Sequence, residues 1–277
     1  MRKLFILITF LVFAISNANA TKVIRILAIG NSFSEDAVEQ YLYDLGKDAG
    51  YELIIGNAYR GGQGLESHWK EAMSDGNSFE YRKIIQGKKY NRHHQTLKSI
   101  ITDESWDYIT LQQVSQDSGN PDTYEPFLTN LIAYVKSLAT NDRMKLGFHM
   151  TWAYSGDSTH SGFVYYGRNQ KTMYDSIIEA SKAALANHPD IRFIVPSGTA
   201  IQNMRATPLG DTMNRDGYHL DYNIGRYTAA CTWFEAILKK KATRLTYHPD
   251  AIDDATADMA RQAAHNARRN PFNVTEP

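Results

Sequence analysis

The stretch Ile26-Leu27-Ala28-Ile29-Gly30-Asn31-Ser32-Phe33-Ser34 decides the fold. An apolar run ends in glycine, and a serine follows where the chain turns toward a helical pattern that begins near residue 35. In open parallel sheets, functional sites form beyond the carboxyl ends of the strands. The stretch therefore predicts a strand and then a helix, with Ser32 placed as a nucleophile. A second interpretation stays open, because serine is also a favourable helix N-cap residue and Ser34 directly precedes the helical pattern.

Short apolar runs alternate with longer helical patterns along the rest of the chain. Strands are predicted at residues 23–29, 51–57, 106–112, 144–150 and 191–195. Helices are predicted at residues 35–49, 65–73, 94–101, 124–138, 170–187 and 254–268. This alternation is typical of right-handed βαβ crossovers and of a parallel sheet covered on both faces. We expect an α/β fold, a three-layer α/β/α sandwich whose five parallel strands have the flavodoxin-like order 2-1-3-4-5. Residues 79–94 fit the alternation least, and we interpret them as an insertion near the rim of the active site.

The first 20 residues have the pattern of a signal peptide. Arg2 and Lys3 precede an apolar run at residues 4–15, and Ala18-Asn19-Ala20 supplies a small-x-small cleavage pattern. The run is shorter than the roughly 20 apolar residues of a membrane-spanning helix. We expect residues 1–20 to be removed and residues 21–277 to form a single domain. The mature protein is expected to be secreted or periplasmic, with no stable membrane insertion.

The composition excludes several classes of partner and site. The chain has 30 basic and 30 acidic residues, so we expect neither a nucleic acid nor an anionic membrane as a partner. Cys231 is the only cysteine, so no internal disulfide can form, and its apolar neighbours predict a buried thiol. The sequence has no H-E-x-x-H motif and no clustered Cys/His pattern, and we therefore expect no metal site and no cofactor.

A second motif, Arg215-Asp216-Gly217-Tyr218-His219-Leu220, lies near the other end of the chain. A serine nucleophile requires a base, and the base requires a partner that holds its tautomer and stabilises its cation. Asp216 can accept a hydrogen bond from one ring nitrogen of His219 while the other nitrogen faces Ser32. The predicted catalytic triad is therefore Ser32, Asp216 and His219. A surface D-G turn beside an unrelated histidine is the alternative.

The two motifs together resemble the SGNH (GDSL-like) hydrolase superfamily. G-N-S at residues 30–32 is similar to the first block of this superfamily, and D-G-Y-H at 216–219 is similar to its last block, D-x-x-H. The resemblance covers about residues 24 to 234, and it is nearest to an uncharacterised subgroup of secreted bacterial proteins. It implies an α/β/α fold and a serine hydrolase that acts on ester bonds.

The resemblance also implies an oxyanion hole made of backbone and side-chain donors. Two donors are the backbone N–H of Ser32 and of a glycine after the second strand, which we assign to Gly62, with Gly64 as the next choice. The third block of the superfamily presents an asparagine, but residues 111–117 read LQQVSQD. Gln113 offers the same two N–H donors, so we assign the third position to it. The alternative is that this glutamine only satisfies loop backbone.

Three further residues are candidates for substrate binding, namely Asn31, Trp152 and Tyr154. Both aromatic residues follow the predicted fourth strand, and their rings can stack on the apolar C–H faces of sugars or simply cover the end of the core. We expect a secreted serine esterase that deacetylates or deacylates a carbohydrate ester through an acyl-enzyme. Two other functions stay open, a non-catalytic carbohydrate-binding protein and a lipase or phospholipase, because one fold supports many functions.

Overall fold

A computed structural model describes residues 21–276, so the predicted signal peptide lies outside the described residues. The strands are β1 (Lys22–Gly30), β2 (Tyr51–Tyr59), β3 (Phe79–Ile85), β4 (Lys88–Gln95), β5 (Tyr108–Leu111), β6 (Lys145–His149) and β7 (Ile191–Val195). They form one sheet in the order β4-β3-β2-β1-β5-β6-β7.

Helices connect and cover these strands. They are α1 (Ser32–Val38), α2 (Leu42–Asp48), α3 (Leu65–Met73), α4 (Leu97–Ile101), α5 (Phe127–Leu138), α6 (Gln170–Asn187), α7 (Ser197–Arg205), α8 (Ile224–Leu238) and α9 (Asp254–Arg269). Among residues 21–276, no helix is both long and apolar enough to cross a bilayer.

The parallel part of the sheet has the predicted topology. β2, β1, β5, β6 and β7 pair in parallel. Counted along the chain, these five strands have the order 2-1-3-4-5. The predicted α/β/α class and strand order are therefore confirmed, and the sheet has two strands more than predicted.

The two additional strands come from the segment that fitted the alternation least. β3 pairs antiparallel with β2, and β4 pairs antiparallel with β3. Gln86 and Gly87 join them with φ angles of 51° and 72°, the left-handed conformation that a two-residue hairpin turn of the I′ type requires. The segment is therefore an edge hairpin that extends the sheet beyond the five predicted strands.

Three predicted helices differ in their bounds, and two helices lie outside the predicted ranges. The predicted helix at residues 35–49 is divided into α1 and α2, and the hydroxyl of Tyr41, at the break, donates to the carbonyl of Tyr222 at 2.8 Å. The predicted helix at 94–101 begins only at Leu97, because the preceding residues belong to β4. The predicted helix at 124–138 begins at Phe127, and α7 and α8 lie outside the predicted ranges.

β1 shows how the sheet is buried on both faces. Ile24, Ile26 and Ala28 belong to one hydrophobic cluster, together with residues of α1, α2, α8 and α9. Leu27 and Ile29 belong to a second cluster, together with residues of α3, α4 and α5. Side chains alternate between the two faces of a strand, so a strand buried on both sides has a continuous apolar sequence. This explains the unbroken apolar run that precedes Gly30.

Candidate active site

Ser32 is the first residue of α1, directly beyond the end of β1. The side chain of Asn31 caps this helix by accepting the N–H of Phe33 at 2.9 Å. A Cβ atom on Gly30 would lie 2.8 Å from Cδ of Gln112, so only glycine fits at the end of the strand. The strand, the glycine and the cap together place Ser32, which is partly exposed, at the carboxyl edge of the sheet.

His219 connects Ser32 to Asp216. Its Nε2 lies 2.8 Å from Oγ of Ser32, and its Nδ1 lies 2.7 Å from Oδ2 of Asp216. The other oxygen of Asp216 accepts the backbone N–H of His219 at 2.8 Å and of Tyr218 at 3.2 Å. Gly217 has a φ of +89°, which permits this tight turn. The structure thus brings the three predicted triad residues into one hydrogen-bonded chain.

The electrostatic surroundings keep Asp216 ionised. Burial of the carboxyl opposes ionisation, but hydrogen bonds from the His219 ring and from the N–H groups of His219 and Tyr218 outweigh it, so the pKa of Asp216 lies below its ordinary value. Hydrogen bonds to the charged form of an acid favour that form. Asp216 is therefore equipped to hold the Nδ1–H tautomer of His219.

Gly62 lies in the turn between β2 and α3, beside Ser32. It has a φ of +66° and an exposed position. The side-chain amide of Asn31 donates to the carbonyl of Gln63 at 2.8 Å and so ties this turn to the Ser32 turn. Within residues 21–276, neither the N–H of Ser32 nor that of Gly62 has a hydrogen-bond partner. Both donors border the same pocket and are available to a bound oxygen atom.

The assignment of Gln113 to the oxyanion hole is wrong. Its amide nitrogen donates to both the carbonyl and the hydroxyl of Thr123 at 3.0 Å, and its amide oxygen accepts the N–H groups of Leu65 and Val114. The side chain is 3% exposed, so both N–H donors are already used inside the protein. The alternative, that this glutamine satisfies loop backbone, describes the structure, and Gly64 packs against it without room for a side chain.

Asn31 binds protein atoms on every side. Its oxygen accepts the N–H of Phe33 and the amide of Gln112 at 2.9 Å, while its nitrogen is bonded to Gln63. The carbonyl of Gln112 in turn bonds to Nδ1 of His149, a residue whose burial lowers its pKa to about 3. The prediction that Asn31 binds substrate is therefore replaced by a structural role, since this 1% exposed side chain holds the turns that border the pocket.

Trp152 and Tyr154 are fully buried, so neither ring can contact substrate. Trp152 stacks on Phe33 with ring centroids 4.3 Å apart, and its indole N–H donates to the carbonyl of Tyr218 at 2.8 Å. The hydroxyl of Tyr154 lies 2.7 Å from Oγ of Ser115. The prediction of a substrate wall is wrong for both residues, which instead support the segments around Ser32 and His219 from below.

Sequence reasoning missed the residues that form the pocket wall. A pocket of about 270 Å³ opens over Ser32, and its wall includes Tyr59, Gln116, His160 and Tyr218. Within the described part of the chain, the amide nitrogen of Gln116 has no hydrogen-bond partner, because only its oxygen is engaged, by the hydroxyl of Ser115. No local pattern marks these positions, since they lie far apart in the sequence and only the folded chain brings them together.

His160 contributes one directed donor to this pocket. Its Nδ1 accepts the N–H of Gly162 at 3.0 Å, so the neutral ring carries its hydrogen on Nε2. Burial is the main cause that holds the pKa of His160 below its ordinary value, and the positive charge of a protonated His219 is the second. His160 therefore presents an N–H group without adding a positive charge.

Among residues 21–276, no group of three or more His, Cys, Asp or Glu side chains is arranged so that it could hold a metal ion. The described site offers hydrogen-bond donors, a hydroxyl and an imidazole, which are the groups used in acyl transfer to serine.

Two comparisons identify the family. The model of DUF4886, a domain of unknown function, matches residues 25–267. A DUF4886 family protein from Bacteroides uniformis is 46% identical to this chain and superimposes on it with a TM-score of 0.90. The match covers 92% of this chain and 98% of that one. No curated protein matches the chain.

More distant structures share the fold. A candidate SGNH hydrolase from Slackia heliotrinireducens is 20% identical with a TM-score of 0.52, the match covering 78% of this chain and 99% of that one. A mutant of an acetyl-xylooligosaccharide esterase from Geobacillus is 13% identical with a TM-score of 0.50, covering 78% of this chain and 95% of that one. At these identities the likeness concerns the fold alone, and the predicted SGNH-like fold is confirmed.

Proposed function

The chain belongs to the DUF4886 family, and from the site that its own residues form we propose that it is a serine hydrolase that cleaves carboxylic esters. One observation carries the proposal, the hydrogen-bond chain from Oγ of Ser32 through the ring of His219 to the carboxylate of Asp216, with distances of 2.8 and 2.7 Å. The three groups have the order and contacts that a nucleophile, a general base and its partner require.

The reaction follows from these contacts. Oγ of Ser32 attacks the ester carbonyl carbon and gives its proton to Nε2 of His219, while the carbonyl π electrons move to the oxygen. The tetrahedral intermediate then collapses, its C–O bond to the alcohol breaks, and the alcohol leaves with the proton from His219. Water attacks the acyl-Ser32 ester with His219 again as the base, and release of the carboxylic acid returns the proton to Ser32. Asp216 holds the ring and compensates its positive charge in both steps.

We propose that the oxyanion is bound by the N–H groups of Ser32 and Gly62 and by the side-chain amide of Gln116. Gln116 replaces Gln113 in this role because it borders the pocket and its amide nitrogen is unengaged within the described residues. Such donors act most strongly where charge develops in the transition state.

We propose a carbohydrate as the alcohol part of the ester. The pocket over Ser32 shares Gly62 and Gln116 with a neighbouring cleft of about 330 Å³. Gln116 also borders a third cleft, of about 470 Å³, whose wall includes Asp117 and the 73% exposed ring of Tyr165. A groove with amide, carboxylate and aromatic groups suits a chain of neutral sugars, since aromatic rings pack against apolar ring faces.

The test is hydrolysis of p-nitrophenyl acetate and of acetylated xylo-, manno- and chito-oligosaccharides by the protein and by Ser32→Ala. We expect turnover of both substrate types and a loss of about 10³-fold or more in Ser32→Ala. Ser137→Ala, which changes an exposed serine of α5, is the matched control and should retain full activity. A protein that binds the oligosaccharides but hydrolyses no ester would be a carbohydrate-binding protein, and a preference for long acyl chains would indicate a lipase.

We also propose that the protein is exported. The pattern of residues 1–20 supports a cleavable signal peptide. Expression of the full chain with its own leader in a bacterial host should give a periplasmic or secreted protein whose first residue is Thr21. A cytoplasmic protein that retains residues 1–20 would contradict the proposal.

A further inference from the structure

Asp36 lies one helical turn beyond Ser32 in α1, and its side chain is completely buried. A buried carboxylate is costly unless hydrogen bonds and opposite charges satisfy it. Loss of such partners leaves an uncompensated charge, so the segments that provide them are held firmly in place.

The partners of Asp36 lie on the His219 segment and on the helix after it. Oδ2 accepts the backbone N–H of Leu220, the residue after His219, at 2.7 Å. Oδ1 lies 3.2 Å from Nη1 of Arg215 and 2.5 Å from Nη2 of Arg226. Arg215 also donates to the carbonyl of Leu220. One carboxylate thus connects the helix that begins at Ser32 with both sides of His219.

The two ends of the segment from Asn214 to Leu220 are hydrogen-bonded to each other, so the segment moves as one body and a contact at one residue fixes all of it. Asn214 and Leu220 form an antiparallel bridge, and the N–H of Arg215 donates to the carbonyl of His219 at 3.0 Å. A shift of this unit relative to α1 changes the distance between His219 and Ser32 directly.

We infer that Asp36 is a positioning residue for the proposed ester hydrolysis. It fixes the His219 segment to the Ser32 helix, and its negative charge favours the cationic form of the His219 ring while that ring holds the serine proton. The inference rests on the proposed function, because the position of His219 relative to Ser32 matters only if a proton passes between them.

The charges around Asp36 determine the sign of the expected effects. The charged and titratable groups that face His219 or Asp36 are Asp216, His160, Tyr218, Arg215 and Arg226, and Glu35 lies beside Arg226. Burial raises the pKa of Asp36, while the two arginines, the Leu220 N–H and His219 act in the opposite direction. Removing a negative charge beside His219 favours its neutral ring, and removing a positive charge favours its cation.

The main test is Asp36→Asn, which keeps the size of the side chain and removes its charge. We expect kcat to fall roughly 10- to 100-fold with KM within about twofold, since a misplacement near 1 Å costs up to 10²-fold. We also expect the titration midpoint of the His219 ring, followed by NMR and assigned with His219→Gln, to move to lower pH.

Two further variants complete the test. Arg215→Met leaves Asp36 with Leu220 and Arg226, and the His219 midpoint should then move to higher pH. The matched control is Asp48→Asn, which changes a carboxylate that also accepts backbone N–H groups, those of Thr246 and Tyr247, in a segment outside the site. Its kcat and midpoint should stay those of the parent protein.

The outcomes separate positioning from simple stabilisation. An Asp36→Asn protein with unchanged kcat, or with lowered kcat and an unmoved His219 midpoint, would overturn the inference. If Asp36→Asn does not fold, Arg215→Met decides, because it removes one contact between Asp36 and the His219 segment. An unchanged kcat, or an unmoved or lowered His219 midpoint, overturns the inference, and a lowered kcat together with a raised midpoint supports it. Since the NMR titration needs no turnover, an inactive parent protein contradicts the proposed function and leaves this test intact.

Discussion

At the residue scale, Ser32 and His219 are expected to act as one unit. Ser32→Ala and His219→Ala should each remove most of the esterase activity, about 10³-fold or more, and the double variant should be little worse. The reason is that each residue is useful only while the other exchanges the proton with it. Steady-state kcat/KM for p-nitrophenyl acetate measures the three losses. Losses that multiply in the double variant would mean that the two residues take part in separate steps.

The pH dependence of kcat/KM tests Asp216. Activity should rise with pH as His219 becomes neutral, and Asp216→Asn should lower the plateau and move this rise to lower pH. A neighbouring carboxylate favours the cationic ring, so its loss favours the neutral one. Because the pKa of Asp216 is depressed, the carboxylate is ionised throughout the rise. The measurement uses an uncharged ester, so that ionisation of the substrate cannot change the profile. If the rise of kcat/KM in Asp216→Asn stays at the parent pH or moves to higher pH, another group is the electrostatic partner of His219.

Gln116 can be tested by an almost isosteric change. Gln116→Glu replaces the amide donors with a carboxylate, so kcat should fall about 10²- to 10³-fold while KM changes little, as for loss of an oxyanion donor. Gln262→Glu, which makes the same change at an exposed position of α9, is the control. A kcat within threefold of the parent value would remove Gln116 from the oxyanion hole and leave the backbone donors alone.

At the element scale, the β3–β4 hairpin is fastened by Asp103, which follows α4. Asp103 accepts the hydroxyl of Tyr81 at 2.8 Å, and it bonds Lys83 and Arg92 at 2.7 Å. Burial opposes its ionisation, but the bonds from Lys83, Arg92 and Tyr81 prevail and lower the pKa of Asp103 to about 2. Each of these bonds joins the hairpin to the layer beneath it.

Asp103→Asn should therefore destabilise the protein at neutral pH by about 1–3 kcal/mol. A depressed folded-state pKa stabilises the fold above the ordinary value near 4, and this contribution is lost as the pH falls toward 2. The difference in unfolding free energy between parent and variant, measured with urea, should thus narrow below pH 4. Asp190→Asn, which removes a half-exposed pair with Lys136, should change stability little at any pH. A difference that is independent of pH would mean that the charge of Asp103 contributes nothing.

The contrast between β1 and the pocket wall shows what the sequence can predict. The apolar run, Gly30 and the cap at Asn31 act through local geometry, so strand, turn and helix were predictable, as was the Asp216–His219 pair three residues apart. Gln113 was misassigned because its partner Thr123 is fixed only when the loops have packed. Trp152 and Tyr154 were misassigned for the same reason, since whether an aromatic side chain lines a pocket or lies beneath it depends on residues far away in sequence.

The hairpin was missed for a different reason. A Gln-Gly turn is a weaker signal than Asn-Gly or Asp-Gly, and seven of the eight residues of β4 are polar or charged, with Tyr90 as the exception. The side chains of β4 are exposed on both faces of the sheet, so the strand lacks the alternating apolar pattern that identifies a half-buried strand.

At the scale of the whole molecule, Cys231 reports on global unfolding. The thiol lies in α8 at 0% exposure, and burial raises its pKa to about 12. We expect no reaction with a thiol reagent such as DTNB under native conditions and one equivalent of reaction after urea denaturation, because only a large opening exposes α8. The urea midpoint should be the same with and without a reductant. Rapid labelling of the native protein would show that α8 opens locally.

The edge hairpin also bears on how the molecule behaves at high concentration. The outermost strand β4 has exposed side chains over almost all its length, including Lys88, Lys89 and Arg92. Unpaired backbone groups at a sheet edge invite another chain to add a strand, and charged side chains on the edge oppose this. The hairpin thus protects the folded chain from edge-to-edge polymerisation, and a chain from which it is cut away would present the apolar strand β2 as a template for fibre growth.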